Sequence, residues 1–228
     1  MKESYEIKLQ LLKEFEHMDD PVGFCREAYK FLIEGEEVEP RVLHTLESEA
    51  IDDGIYLVYE DGHSVKYESG MKKSHAKGVT GIGVVYDGHP FQVALEDLGE
   101  QPLIKEENNT CPEESPFYKT ECEGLHDWDF VSATNHLKEC GMDMPLPDGW
   151  YIPTLAVLEV MCFLKKQINE ALEFAGGKAM PDDYHWSSTE YGRNGARYVY
   201  FSNGNAYTYY YKYNGNVVRA VTAFSIAR

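Results

Sequence analysis

From Tyr191 to Val217 the chain places eight of its seventeen tyrosines, five asparagines and four glycines within 27 residues. The same window holds no Asp, Glu, Gln, Met, Trp, His, Leu or Ile, and its single lysine is Lys212. A helix is a poor solution for such a stretch, because glycine and asparagine weaken helices while tyrosine suits a pleated, half-buried surface. Asn203-Gly204 and Asn214-Gly215 are tight-turn signals, since both residues tolerate the positive φ that a two-residue hairpin demands. With the flanking sequence, the pattern predicts a four-strand antiparallel meander over Tyr184 to Thr189, Arg197 to Phe201, Asn205 to Tyr211 and Val217 to Phe224. Strand alternation then puts Tyr207, Tyr209, Tyr211 and Tyr213 on one face, and sets Val199 and Phe201 against Tyr198 and Tyr200.

One face of this sheet is therefore phenolic and the other apolar. Tyrosine offers a large contact area at small entropic cost, and Ser, Asn and Gly supply adaptable hydrogen bonding, so the composition is that of a binding surface. The candidate contact residues are Tyr191, Gly192, Asn194, Tyr198, Tyr200, Ser202, Asn205, Tyr207, Thr208, Tyr209, Tyr210, Tyr211, Tyr213, Asn214 and Asn216. A plain reading competes, in which tyrosine is simply a good strand former or the tract is prone to aggregate. The ordered turns, and conventional sequence on both sides at Trp186 to Glu190 and Val218 to Phe224, favour a structured sheet.

Upstream, the texture falls into two parts. Residues 54 to 95 read as two hairpins, Ile55 to Tyr59 with Ser64 to Tyr67 and Gly81 to Tyr86 with Pro90 to Leu95, turning at Asp61-Gly62 and Asp87-Gly88. Lys105 to Pro116 reads as a loop. A helix is expected from Asp127 to Cys140, and a second, capped by Thr154, runs through Leu155, Leu158, Met161 and Leu164 and ends by Gly176-Gly177. Before residue 54, the amphipathic spacing of Ile7, Leu11, Phe15 and Met18, the Asp20-Pro21 start signal and the stretch from Pro40 to Ala50 predict helices. The chain thus divides into a helical extension over residues 1–53 and a domain over residues 54–228, and the extension is a candidate for oligomerisation or attachment to a larger particle.

Charge narrows the partners. Residues 1–190 carry all 39 acids and 16 of the 21 bases, for a net charge of −23, whereas residues 191–228 carry no acid and five bases. An acidic body with scattered basic residues in its tail repels phosphate, so neither nucleic acid nor an anionic membrane is an expected partner. No apolar run approaches the roughly 18 residues of a spanning helix. The start Met1-Lys2-Glu3-Ser4 is charged and does not read as an export signal, which leaves a cytoplasmic or virion-borne location, export by another route, or trimming.

Conventional site chemistry is sparse. The eight histidines form no His-Glu-x-x-His motif and no close Cys/His spacing, so neither a metal nor a cofactor is expected. Asp61-Gly62 and Asp87-Gly88 lack the carboxylate density of a calcium loop. Gly81-Ile82-Gly83 leads into a strand, so it is no phosphate loop. Five cysteines, Cys25, Cys111, Cys122, Cys140 and Cys162, are odd in number and dispersed, which argues for reduced thiols. Without evident basic or histidine partners, Cys122, Cys140 and Cys162 read as buried structural thiols rather than nucleophiles.

Taken in order, His126-Asp127-Trp128-Asp129, Gly149-Trp150-Tyr151-Ile152-Pro153-Thr154-Leu155, Gly176-Gly177, Trp186-Ser187-Ser188-Thr189-Glu190, Phe201-Ser202-Asn203-Gly204 and Val218-Arg219-Ala220-Val221 resemble the variable proteins of diversity-generating retroelements. The resemblance covers residues 54 to 228 and is strongest from residue 126. It implies an α+β, C-type-lectin-like fold of the formylglycine-generating-enzyme type, with an antiparallel sheet and two main helices. It also implies that adenines of Asn codons are replaced at random in residues 191–217. Changing the first two bases of AAC reaches Tyr, Asn, Ser, Gly, Ala, Thr, Arg and Val but not Lys, Glu, Gln, Met or Trp, and only Lys212 breaks that rule. Lys212, Phe201, Gly204, Ala196, Arg197 and Val199 are accordingly expected to be framework. The implied function is recognition of a protein or glycan on a cell surface, without catalysis. The alternatives are an undiversified module of the same fold or an enzyme of the formylglycine-generating type.

Overall fold

Residues 52–224 are described by a computed structural model, with the side chains of Thr208 and Tyr209 excepted. The helices expected before residue 52, and any attachment role for them, lie outside the described residues. Both early hairpins form. β1 (Gly54–Tyr59) pairs with β2 (Ser64–Lys66), and β3 (Val79–Tyr86) pairs with β4 (His89–Ala94), all antiparallel. At the second turn Asp87 takes φ 48° and Gly88 φ 75°, the two left-handed residues that match a hairpin to the twist of its strands. The Asp53 carboxylate accepts from both turn N–H groups, at 2.9 and 3.3 Å.

Past a two-residue strand, β5 (Glu100–Gln101), the chain turns helical. α1 (Glu121–Gly124) is a single turn closed by a Thr120/Glu123 capping box, and α2 (Phe130–Glu139) begins where the Asp129 carboxylate accepts from Ser132 N at 2.9 Å. The long second helix expected from the sequence is two helices, so among the described residues three rather than two exceed a single turn. α3 (Leu155–Phe163) and α4 (Lys165–Ala175) meet at Leu164, whose φ of −92° and ψ of 10° leave the helical region. Six of the nine α3 residues are buried, whereas α4 buries one stripe, Ile168, Ala171 and Leu172, so the break lets a core helix become an amphipathic one. Gly176, left-handed at φ 88°, closes α4.

β6 (Tyr184–Gly192), β7 (Gly195–Tyr200) and β8 (Asn205–Tyr211) follow as successive antiparallel strands. The expected fourth strand of that meander is corrected by the structure. β9 (Asn216–Val217) returns on the far side of β6, parallel to it and antiparallel to β5, and β10 (Val221–Thr222) joins β4 in the other sheet. Two five-stranded sheets result, ordered β10-β4-β3-β1-β2 and β5-β9-β6-β7-β8. Helices with antiparallel and mixed sheets make an α+β fold.

Between β9 and β10 the chain crosses from one sheet to the other through Val218, Arg219 and Ala220, all buried. Arg219, 1% exposed, donates to Asp97 Oδ1 at 2.6 Å and to the carbonyls of Ala94 and Lys178, both at 2.9 Å. Satisfying the guanidinium in this way offsets the several kcal/mol that burying a lone charge would cost. Leu57, Ile82, Val84, Phe91 and Val93 of the first sheet pack with Leu158 and Met161 of α3, Ile168 and Leu172 of α4, and Val199 and Phe201 beside the second sheet. A separate cluster gathers Leu103, Leu137, Ile152, Ala196 and Val218 with Trp186. Gly83 fits this packing because a Cβ there would lie 2.7 Å from the Phe224 ring.

His185 sits at the start of β6, fully buried, stacked on Phe201 at 3.9 Å, with Nδ1 2.9 Å from the Asp183 carbonyl. That carbonyl can only accept, so Nδ1 carries the proton and buried Nε2 has no partner. Burial first, then the positive charges of Arg219 and Lys165, outweigh the Asp183 contributions and push the ring down to about 4. A histidine with a depressed folded-state pKa contributes stability above its unfolded pKa, near 6.5, and loses it as pH falls toward 4. His185→Gln should flatten the wild-type decline in unfolding free energy between pH 6.5 and 4 by up to roughly 3 kcal/mol, measured by urea denaturation. An unchanged slope in the variant would show that His185 does not titrate on unfolding.

Candidate functional site

The tyrosine surface depends on register. In the β7–β8 pair, Ala196 faces Tyr210 and Tyr198 faces Tyr207, so three residues of β8 span two of β7. Such a bulge reverses side-chain parity along the bulged strand. Tyr207 and Tyr210 consequently share the face of Tyr198, while Tyr211 pairs opposite Gly195 and stacks on Tyr213 at 5.0 Å. The expected single face of Tyr207, Tyr209, Tyr211 and Tyr213 does not form, because strict alternation takes no account of the bulge. The Tyr209 and Thr208 side chains are not among those described.

The first cluster is an aromatic ladder across three strands. Tyr198 stacks on Tyr207 at 5.1 Å, Tyr184 stacks on Tyr200 at 4.3 Å, and Tyr184 stands edge-on to Tyr198 and Tyr207. Beneath them Trp186, fully buried with its indole N–H on the Gln101 carbonyl at 2.9 Å, meets Tyr198 edge-on and Tyr210 at a tilt. Offset and edge-to-face pairs of this kind each contribute about 0.5–1.5 kcal/mol beyond burial. Burial first and then neighbouring phenols push Tyr184 and Tyr198 upward. Tyr184 is missing from the sequence-based set. Its register opposite Tyr200 in β6 is the signal that would have found it.

Tyr211 and Tyr213 form a second cluster. They line an open pocket of about 400 Å³ with Glu106, Asn109, Arg193 and Asn194. Asn109 Nδ2 donates to the Arg193 carbonyl at 3.2 Å and to Asn194 Oδ1 at 3.1 Å, and Arg193 ion-pairs with Glu113. Loop 105–116 thus contributes a wall to the site that sequence reading left out. Elsewhere Tyr191 is exposed beside the buried Arg197 guanidinium, 5.3 Å from its ring, and Gly192 pairs with Gly195 at the β6–β7 turn. Ser202 and Asn205 are exposed at the β7–β8 turn, and Asn214 is half-buried in the following one. Asn216 is the exception: at 5% exposed and paired with Gln101 in β5–β9, it belongs to the interior rather than the surface.

Directly below lies a buried polar layer. Ser187 Oγ donates to the Arg197 carbonyl at 2.9 Å, Ser188 Oγ to the Ile152 carbonyl at 3.0 Å, and Thr189 Oγ1 accepts from Leu155 N at 2.8 Å. Ala196, Arg197, Val199, Phe201 and Lys212 are all buried. Lys212, 1% exposed, ion-pairs with the equally buried Glu190, and its Nζ also donates to the Arg193 carbonyl at 2.9 Å and to Cys111 Sγ at 3.2 Å. This pair joins the ends of β6 and β8 beneath the Tyr211–Tyr213 pocket.

The cysteine expectations need correcting here. Cys122 is exposed and Cys162 partly so, whereas Cys140 does have a histidine partner, His136 Nε2 at 3.5 Å, one helical turn away. Although no sequence spacing suggested a metal cluster, Cys111, Cys140 and Glu190 bring donor atoms within 4.8 Å of one another, all buried.

No protein family and no curated protein matches this chain by sequence. Among solved structures it is similar to a fimbrial protein from Bacteroides ovatus, at 18% identity and a TM-score of 0.50, over 76% of this chain and 49% of the other. The chain therefore spans about half the length of that neighbour, and at this identity the likeness concerns the fold alone.

Breaking the buried pair on one side strands a charge. Lys212→Met should lower stability by about 3–5 kcal/mol, and Lys212→Met with Glu190→Gln should recover most of that loss, both measured by chemical denaturation. A single variant as stable as the wild type would remove the pair from the account.

Proposed function

We propose that residues 54–228 form a ligand-recognition module of C-type-lectin-like fold, whose tyrosine ladder and adjacent pocket contact a protein or glycan on a cell surface. We further propose that its surface positions are diversified by adenine-directed retroelement mutagenesis, as the resemblance over residues 54–228, strongest from residue 126, implies. The contact set is Tyr184, Tyr191, Asn194, Tyr198, Tyr200, Ser202, Asn205, Tyr207, Tyr210, Tyr211 and Tyr213. Aromatic side chains dominate binding hot spots, so the tyrosines supply most of the contact energy.

The observation that carries this reading is how the window divides between surface and interior. Lys212, the one residue that AAC codons cannot yield, is buried at 1% exposure, whereas Tyr191, Tyr210, Tyr211 and Tyr213 are exposed at 37% to 52%. A gene under random replacement keeps what the fold requires below and varies what a ligand meets above. Lysine and glutamate at Lys212 and Glu190 fit the first part. The name of the structural neighbour, a fimbrial protein, accords with a role at a surface. Among the described residues no helix is long and apolar enough to cross a membrane.

Deep sequencing of the gene's 3′ end and flanking DNA in a growing clonal population tests the proposal. Substitutions should concentrate at adenines of the codons for residues 191–217, leave codons 186–190, 212 and 218–224 unchanged, and match a near-copy template beside a reverse-transcriptase gene. An invariant segment with no template nearby would favour a fixed-specificity module or a formylglycine-generating-type enzyme instead.

A further inference from the structure

Beneath the binding surface Cys111 from the loop, Cys140 at the end of α2 and Glu190 from β6 bring donor atoms within 4.8 Å of one another, and His136 of α2 reaches Cys140 and Glu190. We propose that they form a site for a zinc-type divalent cation. The site does not depend on the recognition function and goes beyond it.

Geometry is the first argument. Tetrahedral zinc with sulfur at about 2.3 Å and nitrogen or oxygen near 2.0–2.1 Å separates neighbouring ligand atoms by roughly 3.3–3.8 Å. Cys140 Sγ lies 3.5 Å from His136 Nε2, Cys111 Sγ lies 3.5 Å from Glu190 Oε1, and His136 Nε2 lies 3.0 Å from Glu190 Oε2. The sulfurs and the carboxylate all fall within 4.8 Å of one another. Two sulfurs, an imidazole and one carboxylate are a donor set that suits zinc and disfavours calcium or magnesium.

An orphaned atom is the second. Glu190 is 1% exposed, yet its Oε2 makes no hydrogen bond; it lies 3.0 Å from His136 Nε2, a nitrogen that is also 3.4 Å from Ser115 Oγ. Lys212 takes the other oxygen, Oε1, and also donates to Cys111 Sγ. A buried carboxylate oxygen left unbonded costs about 1–3 kcal/mol or more, and a cation bound by Oε2 removes that cost.

Charge balance is the third. Two thiolates and one carboxylate balance one divalent cation and the Lys212 ammonium, so the loaded site is neutral. Loading forms two metal–sulfur bonds and releases two thiol protons to solvent, with no change of oxidation state. Lys212 then acts as an outer-shell donor holding Glu190 and Cys111 in place. The metal would pin loop 105–116 and α2 to the ends of β6 and β8, beneath the pocket of Tyr211 and Tyr213.

The test uses the full chain, kept reduced and freed of metal by a chelator, titrated with cobalt(II). One equivalent should produce thiolate-to-cobalt charge-transfer absorbance that zinc(II) abolishes, and saturating zinc should raise the Tm. Cys140→Ser and Cys111→Ser should lose the absorbance, Glu190→Gln should weaken binding about tenfold or more, and Cys25→Ser/Cys122→Ser/Cys162→Ser together should leave it intact. Absence of the band in wild-type protein whose thiols remain reduced would overturn the proposal, as would its loss in the triple variant. If the single cysteine variants do not fold, a wild-type Tm unmoved by zinc overturns it on its own.

Discussion

The Glu190–Lys212 ion pair is the constraint on which the rest of the tyrosine surface depends. It ties the end of β6 to the end of β8, with neither side chain more than 1% exposed. Burying two charges gains little net stability over well-packed apolar residues, but leaving either one alone is costly, so the pair fixes one arrangement of the strands it joins. The turn at Arg193 and Asn194 is held by the same lysine through the Arg193 carbonyl. Tyr211 and Tyr213 flank that residue in sequence, so their stacked pair inherits its position.

From that anchor, the bulge between Ala196 and Tyr198 explains why there are two aromatic clusters rather than one. By reversing parity, it sends Tyr207 and Tyr210 to the Tyr198 face and leaves Tyr211 to pair with Tyr213. Each cluster rests on different support. Trp186 underlies the ladder, while loop 105–116 walls the pocket through Asn109. Neither support is a tyrosine, so what holds the strands is distinct from the aromatic side chains above it.

Much of the fold was legible in the sequence because its signals are local. Asp61-Gly62, Asp87-Gly88 and Gly176 marked turns and a helix end that positive φ values bear out, and Asp127 to Cys140 announced α2 within a few residues of its ends. Signals that depend on distant partners were not legible. The departure of Val217 to Phe224 from the meander is set by Arg219 reaching Asp97, Ala94 and Lys178, none of them near in sequence. The break at Leu164 is hidden in an unbroken apolar pattern. Asn216 read as surface because Asn usually is, and its burial follows from pairing with Gln101, more than a hundred residues upstream. The Cys111, Cys140, His136 and Glu190 cluster was invisible for the same reason: its members are spread over 79 residues between Cys111 and Glu190.

The central claim is that the exposed residues can vary because the buried ones hold the sheet. Randomising Tyr191, Asn194, Tyr198, Tyr200, Asn205, Tyr207, Tyr210, Tyr211 and Tyr213 together with codons of fixed third base, and measuring protease resistance of each displayed variant, tests it directly. Most variants should stay resistant, while the same randomisation of Ala196, Val199, Phe201 and Lys212 should leave few. Equal losses in the two libraries would contradict the account, because the tyrosines would then be part of what keeps the domain folded.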